Sequence, residues 1–269
     1  MLGHLAALFF ASEFCFCQPM ARPTKTRLDQ LLVARTLVDS REKAQALILA
    51  GQVLVNDQKA MKCGTLVDAQ ANVRLLGEPS KYVSRGGVKL EGALEHFRVD
   101  PRRKTCLDIG ASTGGFTDCL LQHGATRVFA VDSGTNQLDW KLRRDPRIVV
   151  FEKTNARYLT IRELGTRFDL VTMDVSFISS TLILPVIPPL LEPRAEALIL
   201  VKPQFEVGKE QVGKGGIVRD PRLHEEAVSR VSRVLLDLGF DQLMSSESVL
   251  PGAEGNREFF LHALWRKSG

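Results

Sequence analysis

Apolar runs of four or five residues recur along the back of the chain, at 105–109, 128–131, 148–151, 170–173 and 197–201. Their lengths suit strands, and the stretches between them carry apolar residues at helical spacing. This alternation predicts βα units and a mostly parallel sheet. Two further segments, 242–249 and 259–265, are separated only by a turn rich in Pro and Gly. Such a connection is too short for a crossover helix, so it predicts a terminal hairpin with one antiparallel strand.

Before residue 77 the pattern differs. Leu28, Leu31 and Leu32 share a helical face. Ser40-Arg-Glu-Lys43 reads as an N-cap with a charged first turn, and Ala44, Leu47 and Ile48 continue that helix until Gly51 ends it. The runs 53–55 and 72–76, with the turn Asn56-Asp57, supply short strands. A small α+β module is therefore expected at 22–76, a linker opening with Gly77-Glu-Pro-Ser80 at 77–84, and a larger domain at 85–269. Residues 1–21 are expected to be an extension without fixed structure. Their apolar stretch is interrupted by Glu13, is too short to span a bilayer and has no Lys or Arg ahead of it.

Charge sharpens this division. Net charge is +5, yet 21–104 holds 16 Lys and Arg against nine Asp and Glu, whereas 105–269 holds 20 against 21. A basic module beside a near-neutral domain points to a polyanionic partner, most simply nucleic acid. Arg27, Arg35, Arg41 and Lys43 in the module, with Arg85 just past the linker, are the candidate RNA contacts, although an arginine taken alone is more often a solvated surface charge than a phosphate contact. Five scattered cysteines without a C-x-x-C, and five histidines without an arrangement, indicate neither disulfides nor a metal site. A reducing cytoplasm is the expected location.

The candidate chemistry begins at Leu107-Asp-Ile-Gly-Ala-Ser-Thr-Gly-Gly-Phe-Thr-Asp118, a strand, a glycine turn and a helix start, with Asp132 ending the next strand. An acid at that place suits ribose hydroxyls. The spacing G-x-x-x-G-G lacks the second glycine of a pyrophosphate cradle, and it resembles the nucleoside-binding turn of S-adenosylmethionine methyltransferases. That resemblance implies a Rossmann-like α/β fold and cofactor contacts from Asp108, Gly110, Ser112, Thr113, Gly114, Gly115, Phe116, Asp132, Asn155 and Asp174. In open α/β sheets ligands bind at the carboxyl ends of strands, where Asp174 and Lys202 also fall. A lysine ending a buried strand is costly unless paired, so a structural Lys202–Asp174 salt bridge stands beside a catalytic role. Trp140 and the glycine-rich loop 213–220 admit both packing and RNA-contact readings.

The front module, through Arg27-Leu-Asp-Gln-Leu-Leu32, Ser40-Arg41 and Ala50-Gly-Gln-Val-Leu-Val-Asn56, resembles the S4 RNA-binding domain. Together with Tyr82-Val-Ser-Arg-Gly-Gly-Val-Lys89, Val201-Lys202-Pro-Gln-Phe-Glu-Val-Gly208 and Gly255-Asn-Arg-Glu258, the chain resembles the TlyA (hemolysin A) family. The family pairs an S4 domain with an FtsJ-like methyltransferase domain and acts on rRNA. This resemblance implies 2′-O-methylation of ribose, of cytidine in 16S and additionally 23S rRNA. It also implies a Lys-Asp-Lys-Glu tetrad at Lys89, Asp174, Lys202 and Glu258, with rRNA or ribosomal subunits as partners. Competing readings are a non-catalytic RNA-binding or ribosome-assembly protein and, last, a membrane-active hemolysin.

Overall fold

The computed structural model describes residues 25–38, 40–76 and 81–266. The chain divides into two units, Met1–Pro79 and Ser80–Gly269. The extension expected at 1–21 lies outside the described residues.

In the front unit, β1 (Lys25–Arg27) leads into α1 (Leu28–Ala34) and α2 (Arg41–Leu49), followed by β2 (Val53–Val55), β3 (Gln58–Lys59), β4 (Leu66–Asp68) and β5 (Val73–Leu75). Ser40 caps α2 by accepting from the Lys43 amide, which satisfies one of its free N–H groups. Strands β3, β2 and β5 form an antiparallel sheet, and β1 pairs β4 in a separate ribbon. That ribbon was not anticipated, because three-residue strands leave too little periodicity to read. Leu28, Leu32, Ala44, Ile48 and Val53 make the centre of the core. The same leucine face was expected from spacing.

The second unit contains α3 (Arg85–Phe97), β6 (Thr105–Ile109), α4 (Gly115–Gln122), β7 (Arg127–Val131), α5 (Trp140–Arg143) and β8 (Ile148–Phe151). It continues with α6 (Ile161–Leu164), β9 (Phe168–Met173), β10 (Leu191–Val201), α7 (Pro203–Glu206), α8 (Pro221–Asp237), β11 (Phe240–Glu247) and β12 (Phe259–Trp265). The sheet runs β11-β12-β10-β9-β6-β7-β8. Its five central and far strands are parallel, while β12 lies antiparallel between β10 and β11. This is the S-adenosylmethionine-methyltransferase architecture, with the hairpin closing one end.

Both sheet faces are covered, which is why the strands read as continuous apolar runs. Leu107, Ile109, Val171 and Ile199 pack with Ala227, Val231 and Leu235 of α8. Their strand neighbours Cys106, Leu170 and Leu198 point the other way, against Leu90 and Leu94 of α3 and Leu120 of α4. Strand β10 starts at Leu191, before the expected 197, because Glu192, Pro193 and Arg194 interrupt its apolar pattern and its register shifts between Leu191 and Glu196. The linker expected at 77–84 also ends early. Tyr82 is 2% exposed inside the core beneath α3, and the Val83 amide donates to Asp118 Oδ2 at 2.8 Å, so this stretch belongs to the second unit.

Candidate active site

Sheet register assembles one rim from residues far apart in sequence. Ile109 pairs with Val131 and with Met173, and Val131 pairs with Phe151. The carboxyl ends of β6, β7, β8 and β9 are therefore level, and the residues just beyond them face a common cleft. On the other side Val201 pairs with Phe259. Because β12 runs opposite to β10, the residue before β12, Glu258, arrives beside the residue after β10, Lys202.

A cavity of about 510 Å³ opens at this rim, within the usual range for small-ligand sites. Gly110, Ser112, Asp132, Asn155 and Asp174 line it, with Val175, Ile178 and Ile183 as an apolar wall. Asp132 accepts from the Ser112 amide at 2.8 Å and from the Gly134 amide at 2.7 Å. Its carboxylate thus holds the glycine turn in place and still has lone pairs for hydroxyl donors. Asn155 accepts from the Arg157 amide at 3.1 Å, which orients its side chain at the cavity wall. A carboxylate, an amide and an apolar wall are the donor set a nucleoside needs, so these residues fit S-adenosylmethionine.

Thr113, Gly115 and Phe116 line a second recess of about 230 Å³, next to the first and sharing Gly110, Ser112, Asp174 and Ser176 with it. Two residues expected at the cofactor do not reach either space. Asp108 is fully buried beneath the turn, accepting from Thr117 Oγ1 at 2.6 Å and Thr172 Oγ1 at 3.0 Å. Burial pushes its carboxyl up to about 7, against the lowering effect of the two threonine hydrogen bonds. Gly114, at φ 95°, packs against Leu138 and Leu142 instead. Both are supports of the turn, because an acid or a glycine at a strand end reads alike whether it points into the cleft or under it.

The smaller recess is where α3 meets α4. A Cβ on Gly115 would lie 2.2 Å from Ser84 Oγ and 2.9 Å from the Gly87 amide. Only a bare Cα lets the start of α3 come this close, and that approach carries Lys89 to the rim. There Lys89 Nζ lies 2.5 Å from Glu258 Oε2, with the two side chains 9% and 3% exposed. Lys202 Nζ lies 2.5 Å from Asp174 Oδ1 and donates to Ser176 Oγ at 2.9 Å. The Lys202–Asp174 ion pair, weighed from sequence as a structural alternative, is therefore present, and it stands at the mouth of the cavity rather than inside the core.

Lys89 and Lys202 both line the smaller recess. Together with Glu258 they also line a third space of about 440 Å³, walled by Phe177, Gln204, Phe205 and Gly216. Sequence reasoning missed Ser176 and Phe177. Phe177 is 91% exposed and holds φ 65°, a left-handed conformation uncommon for a side chain of this size. The signal available was a bulky apolar residue just after the Asp174 strand end.

In the front unit the basic residues divide. Arg27 and Arg41 both bond the buried Asp29, at 3.0 and 2.9 Å, and Gln45 adds a third contact at 3.0 Å. The Arg27 hydrogen bonds, then those of Gln45 and Arg41, hold the Asp29 carboxyl well below the usual range against the cost of its burial. Arg35 donates to the Ala69 and Ala71 carbonyls at 2.6 and 2.7 Å, tying α1 to the loop before β5. These three arginines serve the fold whatever else they touch. Lys43 lies exposed in the first turn of α2. In the second unit Arg85 is exposed at the edge of the smaller recess and donates to the Pro251 carbonyl at 3.2 Å.

Residues 82–264 match the FtsJ-like methyltransferase family model and residues 26–73 the S4 domain model. YqxC of Bacillus subtilis, provisionally named an rRNA methyltransferase, is 49% identical over 246 residues, 91% of this chain and 88% of its own length. The Mycobacterium tuberculosis protein named 16S/23S rRNA (cytidine-2′-O)-methyltransferase TlyA is 48% identical over 243 residues, 90% of each protein. A solved structure from Streptococcus thermophilus, provisionally named a hemolysin, matches with a TM-score of 0.71 at 42% identity, over 92% of this chain and 90% of that one. Among the described residues no helix is long and apolar enough to cross a membrane. The family model spans more than half the chain, and the sequence relatives reach across most of it. The chain belongs to the FtsJ-like methyltransferase family, with an S4 domain ahead of its methyltransferase domain.

Proposed function

We propose that this protein is an S-adenosylmethionine-dependent methyltransferase that modifies the ribose 2′-hydroxyl of rRNA, with cytidine in 16S and additionally 23S rRNA as its targets. The observation that carries this reading is the convergence of Lys89, Asp174, Lys202 and Glu258 in two ion pairs beside the cavity lined by Asp132 and Asn155. S-adenosylmethionine supplies a methyl group already activated on a sulfonium sulfur. Asp132 and Asn155 would hold its ribose and adenine ends, and the turn from Gly110 to Thr113 would run along its length.

A ribose hydroxyl is a weak nucleophile until its proton is removed. Lys202 is the group at the rim that can take it. Its amine here is ion-paired with Asp174 Oδ1 at 2.5 Å and donates to Ser176 Oγ, and only the neutral amine can accept the ribose proton. Asp174 fixes where that amine points. The buried Lys89–Glu258 pair, which lines a space next to the donor cavity, would orient the hydroxyl, and most of the rate gain comes from holding oxygen and methyl in line. The S4 unit supplies RNA affinity through phosphate contacts rather than chemistry. Mapping ribose methylation on rRNA from cells with and without this protein tests the reading. Identical maps would overturn it.

A further inference from the structure

We propose that Glu206 is a positioning residue for methyl transfer, latching the segment after Asp174 to the segment after Lys202. The proposal rests on the ribose-methylation reading above. Glu206 ends the short helix α7 that begins at Pro203, directly after Lys202, and its side chain is 3% exposed. One carboxylate oxygen accepts from the Ser180 amide at 2.8 Å and from Ser180 Oγ at 2.7 Å. The other accepts from Ser179 Oγ at 2.5 Å. Arg230 of α8 donates to the Glu206 backbone carbonyl at 2.5 Å, anchoring the latch to the body of the domain.

All three donors to the carboxylate are neutral. Burying a carboxylate among neutral donors is a costly way to stabilise a fold. What it secures is geometry. The segment it grips contains Ser176, which receives the Lys202 hydrogen bond, and Phe177, which sits exposed in a left-handed conformation. Such a backbone persists only when its surroundings over-determine it. The Phe177 ring also lies 5.3 Å from that of Phe205, the neighbour of Glu206 in α7. Without the carboxylate, 176–180 would relax, Phe177 would leave its strained backbone and Lys202 would lose its second partner.

The test compares wild type, E206A, E206Q and S179A/S180A by hydrogen exchange of the peptide covering 175–182, by thermal unfolding and by single-turnover transfer to rRNA at saturating S-adenosylmethionine. E206A and S179A/S180A are expected to exchange and to transfer about 10-fold differently from wild type, faster and slower respectively. E206Q can still accept from Ser180 and donate to the Ser179 hydroxyl, so it should stay within about threefold. In an S176A background, E206A should add less than about threefold, because both act through one segment.

Unchanged exchange in E206A overturns the latch, and if E206A fails to fold, unchanged exchange in S179A/S180A does so. Faster exchange with normal transfer, or additive effects with S176A, overturns the positioning role. If wild type leaves rRNA unmethylated, the ribose-methylation reading falls, and the exchange data alone decide whether Glu206 holds this segment.

Discussion

Gly110 stands so close to the backbone carbonyl of Asp174 that a Cβ on it would lie 2.3 Å from that oxygen. It also holds φ 83°, a conformation that favours glycine. The turn that borders the donor cavity is thus the same surface against which Asp174 is seated. Gly110→Ala must strain the backbone and push β9 outward, costing roughly 2–4 kcal/mol. Urea unfolding and methyl transfer should both fall. An alanine variant with wild-type stability and turnover would show that the close approach is dispensable.

Lys202→Ala is expected to lower methyl transfer by about 10²–10⁴-fold, the usual worth of a positioned proton acceptor. Lys202 lines the two spaces beyond the donor cavity but not the donor cavity itself. Calorimetric affinity for S-adenosylmethionine should therefore change little. Normal turnover in this variant would remove Lys202 from the mechanism.

Lys89→Met strands the buried Glu258 carboxylate, and loss of one partner of a buried pair costs about 3–5 kcal/mol. Adding Glu258→Leu should recover most of the lost stability in denaturant unfolding while leaving the enzyme inactive. Recovery of activity along with stability would mean that the pair serves packing alone.

Asp108 gives the fold a pH dependence of definite sign. Its carboxyl is raised in the fold to about 7 by burial, while in the unfolded chain it titrates near 4. Between those values the folded state keeps a proton that the unfolded state has released. Stability is therefore greatest at the acidic end, declines as pH rises from about 4 to about 7 and is level above that. Asp108→Asn can keep both threonine contacts and should abolish this contribution. The difference in unfolding free energy between the two proteins, measured at pH 5 and pH 8, should shift against the wild type at the higher pH. A difference that does not move with pH would contradict the assignment.

Arg35 and Lys43 should separate when mutated. Arg35→Ala removes two hydrogen bonds to backbone carbonyls and should appear first as a lower unfolding temperature. Lys43→Ala should weaken RNA binding evenly across sequences and reduce the salt slope by about one. Equal thermal and binding effects from both variants would contradict this division of labour.

Much of the architecture was legible before any coordinates. The five apolar runs mark strands because a sheet covered on both faces has no polar side to show, and the short turn before β12 excludes a crossover. Lys89, Asp174, Lys202 and Glu258, which form two ion pairs in the structure, were singled out through motifs resembling those of the family, each spelled by neighbouring residues. What escaped was whatever depends on contacts between distant segments. Glu206 and Ser176 look like ordinary polar residues until α7 folds back on the segment after β9. Asp29 sits in an otherwise routine amphipathic helix, and only the approach of Arg41 and Gln45 makes it a buried hub. Tyr82 was read as linker because one aromatic among Pro, Ser and Lys carries no periodicity.

The antiparallel placement of β12 has a consequence for biosynthesis. Lys89, Asp174 and Lys202 emerge in chain order, but Glu258 reaches them only after β12, the last strand, has inserted between β10 and β11. A nascent chain, or a product truncated before that strand, carries the whole S4 module with Lys89, Asp174 and Lys202, yet lacks Glu258 to pair Lys89. Early termination should therefore yield a polypeptide that occupies RNA without modifying it, a competitive antagonist of the full-length enzyme.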